Sequence, residues 1–407
     1  MTRRILFVDD EALILGGLQR MLRGMRAEWE MVFAESGAKA LELMEQAPFD
    51  VVVSDMRMPG MNGASLLAEV MKRSPKTIRL ILSGHADQEL ILKCIGSTHQ
   101  YLSKPCEPDT LKAAISRAFE LETSLQNPKL KELITRMDRL PSIPALYGRI
   151  VDKLRNPDVG LDEVGELIAQ DPGMTAKILK LVNSSFFGLR RQISSCTEAV
   201  TYIGIDTIKS LVLSIDAFSQ FDQVKCKQFS IECLWAHSQE TATLAREIAR
   251  MEDADRKVAD ECYVAGLLHD IGKLILAANF PEQYELVLQE RGLHDLGIAD
   301  AEEQFFCANH AIVGGYLLGL WGLPVPVVEA ITFHHYPARG PHKGFGPLTA
   351  VYAANRLLGA SSQLEDDNSQ ASHDQHYLEG LGLTDRFQAW KAALLPEKEN
   401  LNHAISL

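Results

Sequence analysis

The 407-residue chain is poor in cysteine, in positive charge and in long apolar runs, and each shortage argues against a class of protein. Its 7 cysteines are scattered without a Cys-x-x-Cys pair, which favours reduced thiols over a disulfide framework. Its 41 basic residues are outnumbered by 54 acidic ones, a balance unsuited to binding nucleic acid. No apolar run is long enough to span a membrane, and the run at Arg4–Val8 is too short for a signal peptide. We therefore expect a cytoplasmic protein with no membrane insertion and no direct nucleic-acid contact.

The chain is too long for one ordinary core, so two or three domains are expected. The first 122 residues alternate short apolar runs with helical periodicity. We predict strands at 4–8, 30–34, 50–54, 78–82 and 99–102, and helices at 13–25, 38–46, 64–73, 88–96 and 109–122. This alternation predicts an α/β domain with a doubly wound, parallel sheet of five strands.

Polar residues follow the predicted strands and should gather at one edge of the sheet, where ligands of parallel sheets bind. They are Asp9, Asp10, Asp55, Ser83 and Lys104. Three carboxylates repel one another unless a hard cation lies between them, and oxygen ligands suit Mg²⁺. Asp55 can then act as nucleophile towards a phosphoryl group, which Lys104 and Ser83 would contact. The alternative, solvated loop residues, does not account for polar residues at so many successive strand ends.

The spacing of these residues resembles that of the response-regulator receiver domain. The matching motifs are the acidic pair, Asp-x-x-Met-Pro-Gly-x-x-Gly at Asp55–Gly63, Ser-Gly-His-Ala at Ser83–Ala86, and Lys104-Pro105. The resemblance implies that a sensor histidine kinase phosphorylates Asp55. The implied Mg²⁺ ligands are Asp9, Asp10, Asp55 and the backbone carbonyl of Arg57. Ser83 and Tyr101 would form the switch pair, and pairing through the fourth and fifth helices would make a homodimer.

Residues 123–138 are predicted to connect the receiver (1–122) to a second domain at 139–358. Asn127-Pro128 interrupts the last receiver helix, a charged helix resumes at Lys129–Asp138, and the prolines of Leu140–Pro144 mark the boundary. A helix that transmits a signal and an ordinary spacer both fit this pattern. Residues 359–407 are predicted to hold a mobile acidic loop at 361–376 and a last helix near 384–395.

The second domain is predicted to be all-α, because helical periodicity runs through it without alternating strands. We expect helices at 145–154, 161–170, 173–182, 194–202, 206–218, 230–250, 258–277, 281–291, 309–320, 324–334 and 347–358.

Several histidines and one aspartate fall on four helical segments of this domain. They are His237, His269, Asp270, His310, His334 and His335. Imidazoles and carboxylates bind divalent transition metals, so these residues form a candidate metal centre able to activate water. Lys273 is expected on the same helical face as Asp270. The alternative is that these are ordinary core or surface histidines, as single histidines on apolar helices usually are.

Motifs across the second domain resemble the HDOD output domain, a relative of the HD phosphohydrolases. They are Leu140–Pro144, Ile168–Pro172, Leu181–Gly188, Ala199-Val200, Ile203-Gly204, Ala265–Lys273 and His334-His335. The family is regarded mainly as a protein-interaction module without demonstrated hydrolase chemistry. Its relatives with a Gly-Tyr-Pro motif hydrolyse cyclic di-GMP at a centre of two or three metals.

The candidate metal centre departs from those enzymes. Asn355 stands where the superfamily has a later aspartate, and Tyr336–Gly340 follows the histidine pair instead of Gly-Tyr-Pro. Asp270 is then the single matched carboxylate, too little negative charge for two divalent cations unless Glu240 or Glu303 contributes. We therefore expect a non-catalytic domain that signals to a downstream protein by contact, with one structural metal as an option. The alternative is a phosphorylation-controlled, metal-dependent phosphodiesterase acting on cyclic di-GMP or another phosphodiester.

Overall fold

The structure is a computed structural model of the chain. It describes residues 2–83, 97–125, 127–137, 160–183, 192–204, 228–294, 296–359 and 371–394, with residues 150, 153, 208 and 226. The chain divides into two compact units. The first comprises Met1–Asp222 with Tyr316–Pro324, and the second comprises Gln223–Gly315 with Val325–Leu407. Among the described residues, the helices are too short or too polar to cross a membrane.

The first unit contains a parallel sheet of five strands in the order β2-β1-β3-β4-β5. The strands are β1 Arg3–Val8, β2 Trp29–Ala34, β3 Val51–Asp55, β4 Ile78–Ser83 and β5 Gln100–Ser103. All residues of β3 and β4 are buried, as expected for apolar strands covered on both faces. The predicted α/β class and the five strands are confirmed, and each strand end lies within one residue of its predicted position.

Four described helices alternate with these strands. They are α1 Ala12–Met21, α2 Gly37–Gln46, α3 Gly63–Arg73 and α4 Pro108–Ser124. A separate 3₁₀ turn at Arg23–Met25 follows α1, so the helix predicted at 13–25 ends early. The side chains of Ser36 and Asn62 cap α2 and α3 by accepting hydrogen bonds from backbone N–H groups of the first turn. The helix predicted at 88–96 lies outside the described residues.

Four more helices follow among the described residues of the first unit. They are α5 Pro128–Arg136, α6 Leu161–Ile168, α7 Pro172–Val182 and α8 Cys196–Ile203. Helix α5 lies within the predicted connector (123–138), and Asn127 caps it by accepting from the N–H groups of Lys129 and Leu130 at 3.0 and 3.3 Å. Most of the helix predicted at 206–218 and most of the one predicted at 145–154 lie outside the described residues.

The second unit is helical, as predicted. Its helices are α9 Ile231–Met251, α10 Arg256–Leu268, α11 Ile271–Asn279, α12 Pro281–His294, α13 Ile298–Phe306, α14 His310–Leu320 (whose last turns belong to the first unit), α15 Val325–Phe333, α16 Pro347–Gly359, α17 Ala371–Gly380 and α18 Thr384–Leu394. Helices α9 and α10 pack closely, because a Cβ on Gly266 would lie only 2.7 Å from the Cα of Ala242.

Three features of the second unit differ from the sequence-based expectations. The single helix predicted at 258–277 is wrong, because the chain turns at His269 and Asp270 between α10 and α11. Helix α13 was not predicted. Residues 371–376 lie in α17 rather than in the predicted acidic loop, whose remaining residues, 361–370, lie outside the described part of the chain.

Candidate phosphorylation site and candidate metal centre

The carboxyl ends of β1 and β3 lie side by side where the strand order changes direction, the usual ligand position in such sheets. Asp9 follows β1, and Asp55 ends β3. The Lys104 ammonium donates to Asp9 Oδ2 at 2.6 Å and forms an ion pair with Asp55 Oδ1. Asp9 and Asp55 are buried, whereas Asp10 is exposed. One cation therefore holds two of the three predicted carboxylates together.

Local backbone contacts fix the position of Asp55. The Arg57 N–H donates to Asp55 Oδ2 at 2.7 Å. Glycine is required at position 63, because a Cβ there would lie 2.1 Å from the carbonyl oxygen of Asp55. Burial raises the pKa of Asp55 and Asp9 adds to the rise, whereas Lys104 opposes it. The carboxylate is thus partly desolvated and oriented by its neighbours.

The predicted switch residues lie on the two following strands. Ser83 ends β4 and Tyr101 lies in β5, and both are buried. The carbonyl of Ser83 accepts a hydrogen bond from the Lys104 N–H at 2.8 Å, which joins the lysine backbone to β4.

The predicted magnesium ligands Asp9, Asp10 and Asp55 offer only oxygen atoms. The Lys104 ammonium already lies between Asp9 and Asp55, so a positive charge is accommodated there. This donor set fits Mg²⁺.

In the second unit, Asp270 lies at the junction of α10 and α11 with histidines around it, and it is 1% exposed. Its Oδ1 lies 3.1 Å from His310 Nε2 and 3.7 Å from His334 Nε2. Its Oδ2 lies 3.4 Å from His269 Nε2 and 3.9 Å from His237 Nε2. Two sets of candidate ligand atoms, each within 4.8 Å of one another, result: Asp270, His310, His334 and His335, and His237, His269 and Asp270.

Two of these histidines present an unused nitrogen to the aspartate. The Nδ1–H of His269 donates to the Gly266 carbonyl at 2.7 Å, and that of His334 donates to the Ile331 carbonyl at 2.8 Å. Among the residues that the structure describes, their buried Nε2 atoms have no hydrogen-bond partner. Burial lowers the pKa of His269 to about 4 and that of His334 well below its usual value, so both rings are neutral. A neutral imidazole held by its Nδ1–H is the form that binds a metal through Nε2.

His310 is held by a second buried carboxylate, Glu302. The His310 Nδ1–H donates to Glu302 Oε2 at 2.6 Å, and Tyr284 donates to Glu302 Oε1 at 2.9 Å. Burial alone would lower the pKa of His310, but Glu302 and Asp270 outweigh it and raise the pKa to about 9. His310 Nε2 also lies 2.8 Å from His335 Nε2. A divalent cation and a proton therefore compete for His310 Nε2.

Close packing brings Asp270 to His310. A Cβ on Gly272 would lie 1.9 Å from the His310 carbonyl oxygen, so α11 and the start of α14 can approach only because this residue is glycine.

Lys273 contacts Asp270, as expected from their spacing of three residues. The Lys273 ammonium donates to Asp270 Oδ2 at 2.7 Å. Burial would raise the pKa of Asp270, but His269, Lys273 and His310 hold it well below its usual value. The aspartate is therefore ionised.

A cavity of about 360 Å³ adjoins this cluster. Its polar lining comprises His237, Glu240, Asp270, Lys273 and Arg291, and apolar side chains such as Leu234 and Leu288 line the rest. The cavity therefore has acidic and basic side chains on its polar wall and apolar side chains elsewhere, a division that is common in sites for small molecules.

The auxiliary residues fall in different places. Glu303 accepts a hydrogen bond from Asn309 Nδ2 at 2.8 Å, and its neighbour Glu302 is the carboxylate that contacts the cluster. Glu240 lines the cavity. The buried Oδ1 of Asn355 accepts no hydrogen bond from the described residues. Sequence reasoning missed Glu302, although its position eight residues before His310, beside the named Glu303, offered a signal.

Comparisons with known proteins match the chain to two domain families. The model of the response regulator receiver domain matches residues 5–116, and that of the HDOD domain matches residues 140–337. An uncharacterized protein of Treponema pallidum is 28% identical over 272 residues, which cover 66% of this chain and 52% of that protein. The DNA-binding transcriptional regulator NtrC of Escherichia coli is 31% identical over 171 residues, covering 41% of this chain and 36% of that protein. The chain thus spans about half or less of the length of these curated relatives.

Among solved structures, the MmoQ response regulator of Methylococcus capsulatus is 25% identical, with a TM-score of 0.46 and coverage of 62% of this chain and 98% of that one. The signal receiver domain of an HD domain-containing protein from Pseudomonas fluorescens is 34% identical, with a TM-score of 0.29 and coverage of 30% and 99%. The sheet, the order of its strands and the two family matches together show that the chain belongs to the response regulators of two-component systems, with a receiver domain followed by an HDOD domain.

Proposed function

We propose that a sensor histidine kinase phosphorylates Asp55 and that the phosphoryl group controls the output of the HDOD domain. The observation that carries this proposal is the Lys104 ammonium, which contacts both Asp9 and Asp55 at the carboxyl edge of the sheet. A cation in this position offsets the charge of the two carboxylates and is in reach of a phosphate added to either. The Arg57 N–H orients one oxygen of Asp55 and leaves the other towards the lysine.

The transfer is a displacement at phosphorus. A carboxylate oxygen of Asp55 forms the new O–P bond, the P–N bond of the phosphohistidine donor breaks, and the departing imidazole nitrogen takes up a proton. Lys104 then pairs with the phosphoryl oxygens, and the hydroxyl of Ser83 donates to one of them. Asp9, Asp10 and Asp55, with the backbone carbonyl of Arg57, would hold Mg²⁺, which would add positive charge beside these oxygens.

The proposed output is contact with a downstream signalling protein. Shifting a two-state element from 1:99 to 99:1 requires about 5.5 kcal/mol of differential stabilisation. Several charge-assisted hydrogen bonds to one phosphoryl group supply energy of this order, because each contributes about 1.5–3 kcal/mol. A single modification at Asp55 is therefore sufficient to change which surface the HDOD domain presents.

A second candidate function is metal-dependent hydrolysis of a phosphodiester. The unused Nε2 atoms of His269 and His334 favour it, because both lie beside ionised Asp270 as metal ligands would. Glu302 raises the number of buried carboxylates in the cluster to two, which lessens the charge imbalance of a bound metal. A metal held there would activate water at the wall of the adjoining cavity.

Phosphorylation is tested with acetyl phosphate and Mg²⁺ on the full chain. Intact-mass spectrometry should show one added phosphoryl group, mapped to Asp55 and absent from the Asp55→Asn variant. Asp109→Asn, which changes an aspartate whose side chain is 98% exposed, is the matched control and should be labelled like the unaltered chain. Labelling that persists in Asp55→Asn would contradict the proposed phosphoacceptor.

The second candidate is tested by metal content and by turnover of bis(p-nitrophenyl) phosphate and cyclic di-GMP. If the domain signals by contact alone, added Mn²⁺ should give no more turnover in the unaltered chain than in His269→Ala. Turnover abolished by His269→Ala and Asp270→Ala, but retained when the exposed His342 is changed to alanine, would establish the hydrolase instead.

A further inference from the structure

Arg79, near the start of β4, is a charged residue that is only 1% exposed. Its Nε donates to the Ser97 carbonyl at 2.7 Å, and its Nη1 donates to the Thr77 carbonyl at 2.9 Å. Its Nη2 donates to the Thr135 carbonyl at 2.6 Å. Thr77 and Ser97 precede β4 and β5, whereas Thr135 belongs to the connector α5. The buried guanidinium therefore joins the amino-terminal edge of the sheet to the connector.

His99, just before β5, supplies a second donor to the same carbonyl. The backbone N–H of Arg79 donates to His99 Nδ1 at 3.0 Å, so a neutral His99 carries its proton on Nε2. That nitrogen lies 2.8 Å from the Thr135 carbonyl oxygen and donates to it. Burial, together with Arg79 and Lys180, lowers the pKa of His99 and keeps the ring neutral.

These contacts are suited to the end of a helix. The last four carbonyls of a helix have no partner within it, and the helix dipole places partial negative charge there. Thr135 is one residue from the end of α5, so its carbonyl is one of these groups. The contacts of Nε and Nη1 with the sheet edge fix the plane of the guanidinium, so that Nη2 is directed at one position of the helix end. The pair formed by Arg79 and His99 therefore specifies where α5 docks.

A second helix contacts the same edge. The Lys180 ammonium of α7 donates to the Thr98 carbonyl at 2.9 Å, and it lies 4.6 Å from the centre of the Trp321 ring. Lys180 is 3% exposed. Residues 97–99 thus receive a hydrogen bond from α7, contact Arg79 and donate to α5. The segment before β5 is a common attachment point for the helices that follow the receiver.

The strands β4 and β5 connect this edge to the phosphorylation site. Arg79 and Ser83 lie four residues apart on β4, about 13 Å along an extended strand. His99 immediately precedes β5, and Lys104 immediately follows it. The two strands therefore hold the connector at one end, and at the other end they carry Ser83 and the lysine that contacts Asp55.

We propose that Arg79 and His99 form a docking site for the carboxyl end of α5, and that occupancy of this docking site is coupled through β4 and β5 to the state of Asp55. The second half of this proposal rests on the proposed phosphorylation of Asp55, whereas the first half does not. Coupling between two sites is reciprocal, so a change at the docking site must alter binding at Asp55.

The test compares Arg79→Met with Arg73→Met in the full chain. Both remove a guanidinium, but the side chain of Arg73 is 46% exposed and pairs with Glu69 and Glu45. Amide hydrogen exchange in residues 128–136 should become at least about tenfold faster in Arg79→Met, while exchange in β1 and β3 is unchanged. The apparent Kd for beryllofluoride, measured with Mg²⁺, should change by about threefold or more. Arg73→Met should show neither effect.

Each outcome addresses a separate part of the proposal. Equal exchange of α5 in the two variants would overturn the docking site. Faster exchange with an unchanged Kd would overturn the coupling. If the unaltered chain does not bind beryllofluoride, the proposed phosphorylation fails while exchange still decides the docking. His99→Phe keeps a ring of similar size, removes both nitrogens and should reproduce the effects of Arg79→Met. Unchanged exchange of β1 and β3 in both variants separates these effects from a general loss of folding.

Discussion

Glu302 is a second buried carboxylate beside the histidine cluster, after Asp270. It is fully buried and accepts hydrogen bonds from Tyr284 and from both the ring and the backbone of His310. A carboxylate that accepts from Nδ1 of a metal-binding histidine fixes the ring and increases the basicity of Nε2. Its neighbour Glu303 points elsewhere and contacts Asn309, so the two glutamates provide a matched comparison.

Replacing Glu302 with glutamine should weaken Mn²⁺ or Zn²⁺ binding by about 10–100-fold, because a neutral amide orients His310 less well and adds no negative charge. Glu303→Gln should leave the affinity unchanged. Isothermal titration calorimetry of the two variants against the unaltered chain measures the difference. Equal affinities for the two variants would show that Glu302 does not support a metal.

Buried His99 should make stability depend on pH. Its pKa in the folded protein lies well below the ordinary value of 6.5, because of burial and nearby Arg79 and Lys180. Below pH 6.5 the unfolded chain takes up a proton at this residue that the folded chain does not, so the free energy of unfolding falls as pH falls. His99→Phe should reduce this slope by up to about 1.4 kcal/mol per pH unit. Urea unfolding at pH 7 and pH 5 measures the slope, and His342→Phe, at an exposed histidine, is the control. A slope that is unchanged in His99→Phe would contradict the lowered pKa of His99.

At the scale of elements, the turn between α10 and α11 builds the candidate metal centre. It places His269 and Asp270 at the end of one helix and the start of the next, and Gly272 lets α11 approach α14. A continuous helix would carry His269 and Asp270 about 100° apart around one axis. The close approach at Gly272 sets the position of Asp270 relative to His310.

Gly272→Ala should therefore destabilise the protein by about 2 kcal/mol or more, because the added Cβ would lie 1.9 Å from the His310 carbonyl oxygen. Gly16→Ala, within α1 and with no atom within 4 Å of the added Cβ, should stabilise by about 0.5–1 kcal/mol. Thermal or urea unfolding shows whether the free energy of unfolding falls in Gly272→Ala and rises in Gly16→Ala. A Gly272→Ala variant as stable as the unaltered chain would rule out the close approach.

The sequence allowed the strands to be predicted better than the helical junctions. The runs that end in Asp55 and Ser83 indicate both a strand and its carboxyl end, because strands covered on both faces are mostly apolar, although β4 includes the buried Arg79. The break after His269 could not be predicted, because apolar residues continue on both sides of it with helical spacing. Glu302 was missed for a related reason: in a helix adjacent residues face directions about 100° apart, and only packing decides which of two glutamates is buried.

At the scale of the whole molecule, the match to the HDOD domain is divided between the two compact units. Residues 140–222 and 316–324 belong to the unit that contains the receiver, and the histidine cluster belongs to the other. The hydrogen bonds from Arg79 and Lys180 lie within the first unit, where they join the sheet edge to α5 and α7. The route that we propose from Asp55 to α5 and α7 therefore lies within this unit, and α7 is part of the HDOD match.

The central claim is that the state of Asp55 controls the helices that follow the receiver. The most direct test is hydrogen exchange of the full chain with and without beryllofluoride in Mg²⁺, followed in peptides from 128–203. We predict a changed exchange rate in α5 and α7 that is absent from Asp55→Asn. A change confined to residues 2–125, with α5 to α8 unaffected, would contradict the claim that phosphorylation of the receiver controls the HDOD domain.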